Sequence, residues 1–264
     1  MTFVMWLSGV PLWQSVLLIV VVPTVIVMAS TLLVRRVFGL SRLEVNNEVA
    51  GFKYAVLGVI YAVLLGFAVI VVWENFRDGS TAVIEEASAL STTFRLAGGV
   101  GPDAAAMIRQ AAFNYGEVLV NEEGPLLAAG GLVSRNATNA LTALYAAVLN
   151  AHPQTLEQSD AYQNLLSALT TLSDGRRDRL ELGGSTVPRV VWIALFGGAI
   201  LNVAFTLFFG TRHVWVQMVM SGMLTAVIFL ALFAIITMDH PFFGSVRVSL
   251  EPIEYVLMTV GKQP

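Results

Sequence analysis

Four long apolar stretches constrain what this chain can fold into. They run approximately over residues 12–34, 51–73, 190–209 and 214–238. Each is close to the ~20 apolar residues that an α-helix needs to cross a bilayer. We expect Pro23 to kink the first helix, because proline cannot donate a backbone hydrogen bond. Only Gly210 to His213 separate the last two stretches, which predicts a tight helical hairpin.

The composition supports a membrane protein with several spans. The chain of 264 residues is 56% hydrophobic and only 12% charged, whereas a soluble domain carries about a quarter charged residues. The net charge of −3 gives no indication of a nucleic-acid partner. The absence of cysteine excludes disulfides, thiolate metal sites and cysteine nucleophiles. The first 14 residues contain no Lys or Arg, so we expect the first apolar stretch to be retained rather than cleaved as a signal.

About 115 residues of different character lie between the second and third stretches. Val83, Ala87, Leu90 and Phe94 recur at helical spacing, so the second membrane helix is expected to continue beyond Trp73. A break at GVGPD follows, with Asp103 expected to cap the next helix. EEGPLLAAGG, residues 122–131, is expected to be a loop, and further helices are expected over 136–149 and 156–182.

These patterns predict an all-α polytopic membrane protein with four transmembrane helices and a helical extramembrane insert between the second and third. The predicted organisation is transmembrane helices 1 and 2 in 10–75, the insert in 76–186, the hairpin of helices 3 and 4 in 187–238, and a C-terminal turn and amphipathic helix in 239–264. The apolar residues of that last helix would lie on the membrane or on the insert: Ile253, Val256, Leu257 and Val260.

The second apolar stretch carries a seam of small residues. On a helical wheel its members fall within about 80° of one another: Gly51, Ala55, Gly58, Ala62 and Gly66. Small residues let helix backbones approach closely in lipid, so the seam predicts a helix–helix contact. Tyr54 and Tyr61 flank it and are expected to hydrogen-bond to a neighbouring helix.

The opposite face of the same helix is apolar in its middle and charged at both ends. Its members are Lys53, Ile60, Leu64, Phe67, Val71 and Glu74. One interpretation is a lipid-facing surface on which Lys53 extends to the interface, and the wheel alone favours it. The other is a pore wall in an oligomer, with a hydrophobic constriction at Ile60, Leu64 and Phe67.

Polar residues in the last two stretches have two interpretations as well. Asn202 lies mid-helix, and Gln217, Ser221 and Thr225 form a stripe at four-residue spacing. Interhelical hydrogen bonding and a conduction path both place such residues away from lipid. The three histidines, His152, His213 and His240, are too scattered to suggest a metal site, and no catalytic or cofactor motif is present.

Three stretches are distinctive in combination: NEVAGFKYAVLGVIYAVLLGFAVIVVWENF from Asn47, VIEEASALSTTFRLA from Val83, and MDHPFFGSVRVSLEPIE from Met238. Together they resemble the bestrophin-like domain proteins, a family of mostly bacterial membrane proteins, over roughly residues 10–258. The resemblance implies a distant similarity to bestrophins, which are pentameric anion channels with four membrane helices per subunit. In bestrophins the second membrane helix lines the pore and narrows at apolar residues, a role that would fall here on Ile60, Leu64 and Phe67. No acidic cluster resembles the bestrophin calcium clasp, so calcium gating is not expected.

The resemblance and the residues lead to two hypotheses. The first is a homo-oligomeric ion channel of the bacterial inner membrane that conducts anions through a pore lined by the second helix. The alternative is a non-conducting membrane scaffold or sensor whose helical insert binds a partner. An enzyme is not expected; it would need a polar cluster such as Glu74, Asp239 and His240. No cofactor is expected.

The basic residues around the membrane stretches support two opposite orientations of the chain in the membrane. Arg35, Arg36 and Arg42 follow the first stretch, and by the positive-inside rule they place the first loop in the cytoplasm. The bestrophin resemblance implies the reverse, with a cytoplasmic insert. Five basic residues near the membrane boundaries of the insert favour that second orientation: Arg77, Arg176, Arg177, Arg179 and Arg189.

Overall fold

The computed structural model describes residues 9–44, 47–131, 133–184 and 187–260. Within these ranges all regular structure is helical and no β-strand occurs, which confirms the predicted all-α class. The helices are α1 (Leu12–Val16), α2 (Val22–Phe38), α3 (Leu40–Glu44), α4 (Asn47–Ala97), α5 (Pro102–Val118), α6 (Gly124–Ala128), α7 (Arg135–Leu149), α8 (Leu156–Gly184), α9 (Arg189–Thr206), α10 (Val214–Met238) and α11 (Glu251–Thr259). Two π-helical turns, Leu17–Val21 and Leu119–Glu123, and the 3₁₀ turn Gly98–Val100 connect some of them.

The chain divides into two compact units. The membrane unit comprises residues 1–74 and 186–239, and the insert unit comprises residues 75–185 and 240–264. Four helical segments of the described chain are long and apolar enough to cross a bilayer, as predicted: Leu12–Phe38, Asn47–Val100, Arg189–Thr206 and Val214–Met238.

The second membrane helix continues beyond Trp73, as expected, because α4 is one helix of 51 residues. Gly79 is an interior position of α4. A Cβ at Gly79 would lie 3.3 Å from Pro241 and from the Phe242 ring, so this glycine allows the turn after α10 to approach closely.

The first membrane helix departs from the simple kink expected at Pro23. A π-helical turn, Leu17–Val21, precedes α2, and Pro23 is among the first residues of that helix. Val21 and Val22 have helical backbone angles, so Pro23 lies inside a continuous helical segment, directly after the π-helical turn. The helix then continues past the expected end at Val34 to Phe38, and Gly39 ends it with a φ of 74°.

Two expectations for the insert are wrong. Asp103 does not cap α5: the cap is Gly101 with a φ of 105°, and Asp103 lies in the first turn, where its charge complements the helix dipole. The stretch EEGPLLAAGG is largely helical, since Leu119–Glu123 continues α5 as a π-helical turn and α6 follows. Pro125 fits because it lies at the start of α6.

The core of the membrane unit forms where α4, α9 and α10 meet. Its buried residues include Tyr61, Ala68 and Val72 of α4, Leu195, Ala199 and Val203 of α9, and Ile228, Leu232 and Ile235 of α10. Many other large apolar side chains of this unit are exposed, among them Phe52, Ile193 and Trp215. Exposed apolar area on this scale is typical of a surface that contacts lipid or another protein.

The insert unit has its own apolar core. It includes Leu90 and Phe94 of α4, Ile108 and Tyr115 of α5, Leu144 and Val148 of α7, and Leu165, Leu169 and Leu172 of α8. Ile253 and Val256 of α11 are buried in the same core. Of the two positions left open for the C-terminal helix, the structure therefore shows packing on the insert.

The connection between α9 and α10 runs from the end of α9 at Thr206 to the start of α10 at Val214, and side chains from earlier helices hold it. Asn47 donates from Nδ2 to the Gly210 carbonyl at 2.6 Å and accepts from the Gly210 N–H at 3.1 Å. Arg35 donates to the carbonyls of Thr211 at 2.8 Å and Arg212 at 3.1 Å. These bonds satisfy backbone groups that have no helical partner.

Candidate functional site

The candidate pore face of α4 is mostly open in the protomer. Ile60, Phe67 and Val71 are 64%, 66% and 48% exposed, and Lys53 and Glu74 are exposed as well. Leu64 differs, because it is half-buried and packs against the core of the membrane unit. The structure therefore brings five of the six predicted residues to open surface on one helix.

The small-residue seam of α4 is also largely open. A Cβ at Gly58 or Gly66 would meet no atom within 4 Å, and Ala55 and Ala62 are exposed. Only Gly51 approaches a neighbour, since a Cβ there would lie 4.0 Å from the Phe209 ring. Packing inside the protomer uses the adjacent face of α4, so the helix–helix contact predicted for the seam stays a prediction.

Tyr61 fixes the packing of α4 against α9. Its hydroxyl donates to the Leu195 carbonyl at 2.9 Å, as expected for a tyrosine flanking the seam. Gly198 makes room for the ring, because a Cβ there would lie 2.5 Å from two ring carbons of Tyr61. Tyr54 makes ring contacts instead, stacking on Phe205 with centroids 5.6 Å apart.

The polar residues of α9 and α10 face protein. Asn202, Gln217, Ser221 and Thr225 are all buried. Asn202 donates to the Gly198 carbonyl at 2.9 Å and Thr225 donates to the Ser221 carbonyl at 2.7 Å, both within their own helices. Gln217 donates from Nε2 to the Phe209 carbonyl across the hairpin. Asn202 and Thr225 therefore bond within their own helices and not between helices as expected, whereas Gln217 bonds to the hairpin connection.

Asp239, considered for a catalytic cluster, accepts a backbone hydrogen bond. Its Oδ1 accepts from the Val187 N–H at 2.8 Å, which ties the end of α10 to the segment before α9. Within the described ranges no three His, Asp or Glu side chains are grouped as a metal ion would require.

A buried polar cluster in the insert unit was not predicted from the sequence. Arg179 of α8 donates to Glu86 Oε2 of α4 at 2.6 Å and to Glu123 Oε1 at 2.7 Å. Arg176 donates to the other oxygen of Glu123 at 2.9 Å, and Tyr115 donates to Glu86 at 2.5 Å. Two carboxylates therefore face two guanidinium groups, and the charges compensate.

The cluster also organises the backbone around it. Glu123 Oε2 accepts from the Ser134 N–H at 3.1 Å, and the Ser134 hydroxyl caps α7 by accepting from the Ala137 N–H. Gly175 lets α8 approach α4, since a Cβ there would lie 3.0 Å from the backbone nitrogen of Glu86. The cluster thus joins α4, α7 and α8 with the π-helical turn that carries Glu123.

Burial and charge act in opposite directions on the cluster. Burial alone would raise the pKa of Glu123, but hydrogen bonds and charge from Arg176 and Arg179 outweigh it and lower that pKa. Burial raises the pKa of Tyr115 well above its usual value, and the adjacent Glu86 adds to the rise. Burial opposes the charge of Arg179, yet Glu86 and Glu123 hold its pKa above the usual value.

A signal for this cluster is present in the sequence. Leu165, Leu169 and Leu172 mark the buried face of α8, and Arg176 and Arg179 continue the same spacing of three and four residues. Glu86 likewise falls among the buried positions of α4. Charged residues in register with an apolar face predict a buried ion pair, because a lone buried charge is strongly unfavourable.

Comparison with known proteins identifies similar chains. The family model of the Bestrophin-like domain matches residues 21–253. The crystal structure of a membrane protein superposes with a TM-score of 0.72 at 15% identity, and the match covers 92% of this chain and 99% of that one. A crystal structure of a bacterial bestrophin homologue from Klebsiella pneumoniae superposes with a TM-score of 0.69 at 14% identity, and the match covers 92% of this chain and 99% of that one. A second structure of a bacterial bestrophin homologue from Klebsiella pneumoniae has a TM-score of 0.67 at 16% identity, and the match covers 91% of this chain and 99% of that one. At these identities the likeness shows a shared fold. No curated protein matches the sequence.

Proposed function

Because the chain belongs to the Bestrophin-like family, in agreement with the resemblance in its sequence, we propose that it forms a homo-oligomeric ion channel that conducts anions. In this proposal the channel lies in the bacterial inner membrane, and α4 of each copy contributes to the pore wall. The proposal assigns ion conduction and no catalytic role to the chain.

The observation that carries this proposal is the open apolar face of α4. Ile60 and Phe67 lie seven residues apart, about two helical turns, and both are about two-thirds exposed. If several copies place this face toward a common axis, the two side chains form rings of apolar groups. Such rings act as a hydrophobic constriction, which controls conduction by dewetting.

The charges on the same face support a path for ions. Lys53 lies about two turns before Ile60 and Glu74 about two turns after Phe67, and both side chains are exposed. A ring of lysines concentrates anions at one mouth of a pore. Anion selectivity in this proposal therefore depends on Lys53 more than on the apolar residues.

Ion flux through the purified protein in liposomes tests the proposal. We expect chloride gradients to dissipate faster than potassium gradients in vesicles that contain the wild-type chain. Phe67→Ala is expected to increase chloride flux several-fold, because it widens and weakens the apolar ring. Ile193→Ala is the matched control, since Ile193 is similarly exposed but lies on α9.

Two results would contradict the proposal. One is the absence of flux from both wild type and Phe67→Ala when the protein in the same vesicles is folded, which would favour the scaffold or sensor. The other is an equal increase from Phe67→Ala and Ile193→Ala, which would mean that α4 does not line the path.

A further inference from the structure

A cavity of about 470 Å³ lies in the membrane unit beside the hairpin connection. It is partly open and is lined by Tyr54 of α4, by Phe209 and Thr211 of the connection, and by residues of the first turns of α10. Its volume is within the range of ~300–1,000 Å³ that small-molecule sites occupy. Its lining is mostly apolar, and neither the pore face nor the ion-pair cluster includes its residues.

Gln217 supplies the cavity with a buried acceptor that has no protein partner. The residue is 3% exposed and lines the cavity. Its Nε2 donates to the Phe209 carbonyl, and a carbonyl can only accept, so the amide orientation is determined. Within the described part of the chain, Oε1 has no hydrogen-bond partner. Oε1 is almost fully covered in this structure, so a hydrogen-bond donor in the cavity reaches it only when the Gln217 side chain turns toward the cavity.

The walls of the cavity fit a hydrocarbon chain. Met220, Met223 and Leu224 line one side, and both methionines are exposed to the surroundings of the helix. Methionine side chains adapt to irregular apolar partners. Because α10 begins at Val214, Gln217 lies in the first turn, near one end of a segment long enough to cross a bilayer. A ligand with a polar head at Gln217 and an apolar chain along the methionines matches this arrangement.

The edge of the cavity is positively charged. Thr211 lines the cavity, and the Arg35 guanidinium donates to the carbonyls of Thr211 and Arg212. Arg212 is itself exposed beside Thr211. Neither arginine lines the cavity itself, but their positive charges beside Thr211 favour a head group that carries a negative charge.

We propose that this cavity binds an anionic, glycerol-headed phospholipid. The head-group hydroxyl donates to Gln217 Oε1, the phosphate lies at the edge with Arg35 and Arg212, and one acyl chain packs against Met220, Met223 and Leu224. This inference goes beyond the proposed channel function and does not depend on ion conduction.

The test uses the full chain, delipidated in detergent, with phosphatidylglycerol as the probe. Native mass spectrometry measures retained lipid, and thermal unfolding measures stabilisation. Phosphatidylcholine with the same acyl chains lacks both the hydroxyl and the net charge, and phosphatidylethanolamine has a donor but no net charge. We expect phosphatidylglycerol to bind and stabilise, and Gln217→Leu to weaken its binding about tenfold, as loss of one hydrogen bond implies.

Two further variants keep the test decisive if Gln217→Leu folds poorly. Met220→Trp fills the apolar wall without changing a polar group, and it is expected to abolish lipid retention. Thr225→Val is the control, because Thr225 lies on the same stripe of α10 two turns further on and is not among the lining residues. It is expected to leave lipid binding unchanged.

Three results would overturn the proposal. Equal retention of phosphatidylglycerol and phosphatidylcholine, unaffected by Gln217→Leu and Met220→Trp, would show only a general lipid layer. Equal binding of phosphatidylethanolamine would contradict the anionic head group. A loss of oligomeric mass in Gln217→Leu or Met220→Trp, without any dependence on lipid, would mean that a neighbouring subunit fills the cavity.

Discussion

Arg179 connects the two buried glutamates of the insert unit, since it donates to Glu86 and to Glu123. Removing one partner of a buried ion pair leaves an uncompensated charge, and this costs about 3–5 kcal/mol. We therefore predict that Arg179→Ala strongly lowers the free energy of unfolding, measured by chemical denaturation in detergent. Arg179→Lys is expected to be intermediate, because a lysine keeps the charge but not the planar set of donors that contacts both carboxylates.

Arg177 provides a matched control on the same helix. Its side chain is 69% exposed and its ion pairs with Asp174 and Asp178 are at the surface. Exposed ion pairs contribute little to stability, so Arg177→Ala should leave the free energy of unfolding nearly unchanged. Equal losses in Arg177→Ala and Arg179→Ala would contradict the role assigned to the buried cluster.

The lowered pKa of Glu123 predicts a loss of stability in acid. Its carboxylate is favoured in the folded state, so the stabilisation is complete above the unfolded pKa of about 4.3. It is lost as the pH falls from there through the lower folded pKa. Thermal midpoints measured from pH 7 to pH 3 should therefore fall less steeply in Glu123→Gln than in the wild type.

The neighbouring glutamate distinguishes this effect from general acid sensitivity. Glu122 is exposed and accepts a hydrogen bond from Asn136. Glu122→Gln should retain the wild-type slope between pH 5 and pH 3. If Glu123→Gln retains that slope as well, the carboxylate of Glu123 is not what links folding to pH.

At the scale of elements, two adjacent glycines of α9 have opposite surroundings. A Cβ at Gly198 would lie 2.5 Å from ring carbons of Tyr61, whereas one at Gly197 would meet no atom within 4 Å. Tyr61 is buried and its hydroxyl is bonded to Leu195, so the ring cannot move away easily. Gly198→Ala should destabilise the protein by about 1–3 kcal/mol, as overpacking usually does.

Gly197→Ala serves as the control for that prediction. It removes a glycine from a helix interior without a clash, so stability should be unchanged or slightly higher. Thermal unfolding of both variants in the same detergent measures the difference. Similar midpoints for the two variants would mean that α4 and α9 can separate slightly without loss of stability.

Element positions were predictable where a long-range apolar pattern determines them. The four spans and the continuation of α4 follow from apolar length and the lack of strong breakers. The π-helical turns did not follow, because nothing local marks Leu119–Glu123 as different from a helix end. That segment is helical since Glu123 meets two arginines more than 50 positions later in the chain.

The candidate pore face could also be predicted from the sequence only in part. A helical wheel gives the angle of Leu64 but not its neighbours, and the wheel therefore groups it with Ile60 and Phe67. In the structure Leu64 packs against the core of the membrane unit. The position of Tyr61 was predictable as a hydrogen-bonding flank, but its acceptor on α9 depends on tertiary packing.

At the scale of the whole molecule, the proposed channel requires several copies around an axis. The chain contains no cysteine, so a single introduced thiol can react only with its counterpart in another copy. Phe67→Cys should form disulfide-linked dimers under mild oxidation in membranes, because residues near an axis come within the ~4–7 Å Cα separation that a disulfide needs.

Ile193→Cys is the control for this experiment, since Ile193 is exposed on α9 and lies outside the proposed pore face. It should give little cross-linked product on non-reducing gels. Cross-linking of both variants to the same extent would indicate random collisions, and cross-linking of neither would argue against an axis lined by α4.

The compensated charges of the buried cluster also constrain how this protein can change by mutation. Exchanging only one of Glu86, Glu123, Arg176 and Arg179 leaves a charge in the core without its full set of partners. An apolar core of the same volume can be as stable, but it is reached only when acids and bases are replaced together. Most routes that replace these residues one at a time therefore pass through a variant that folds poorly. Descendants of this sequence should therefore inherit or lose these four residues as a set.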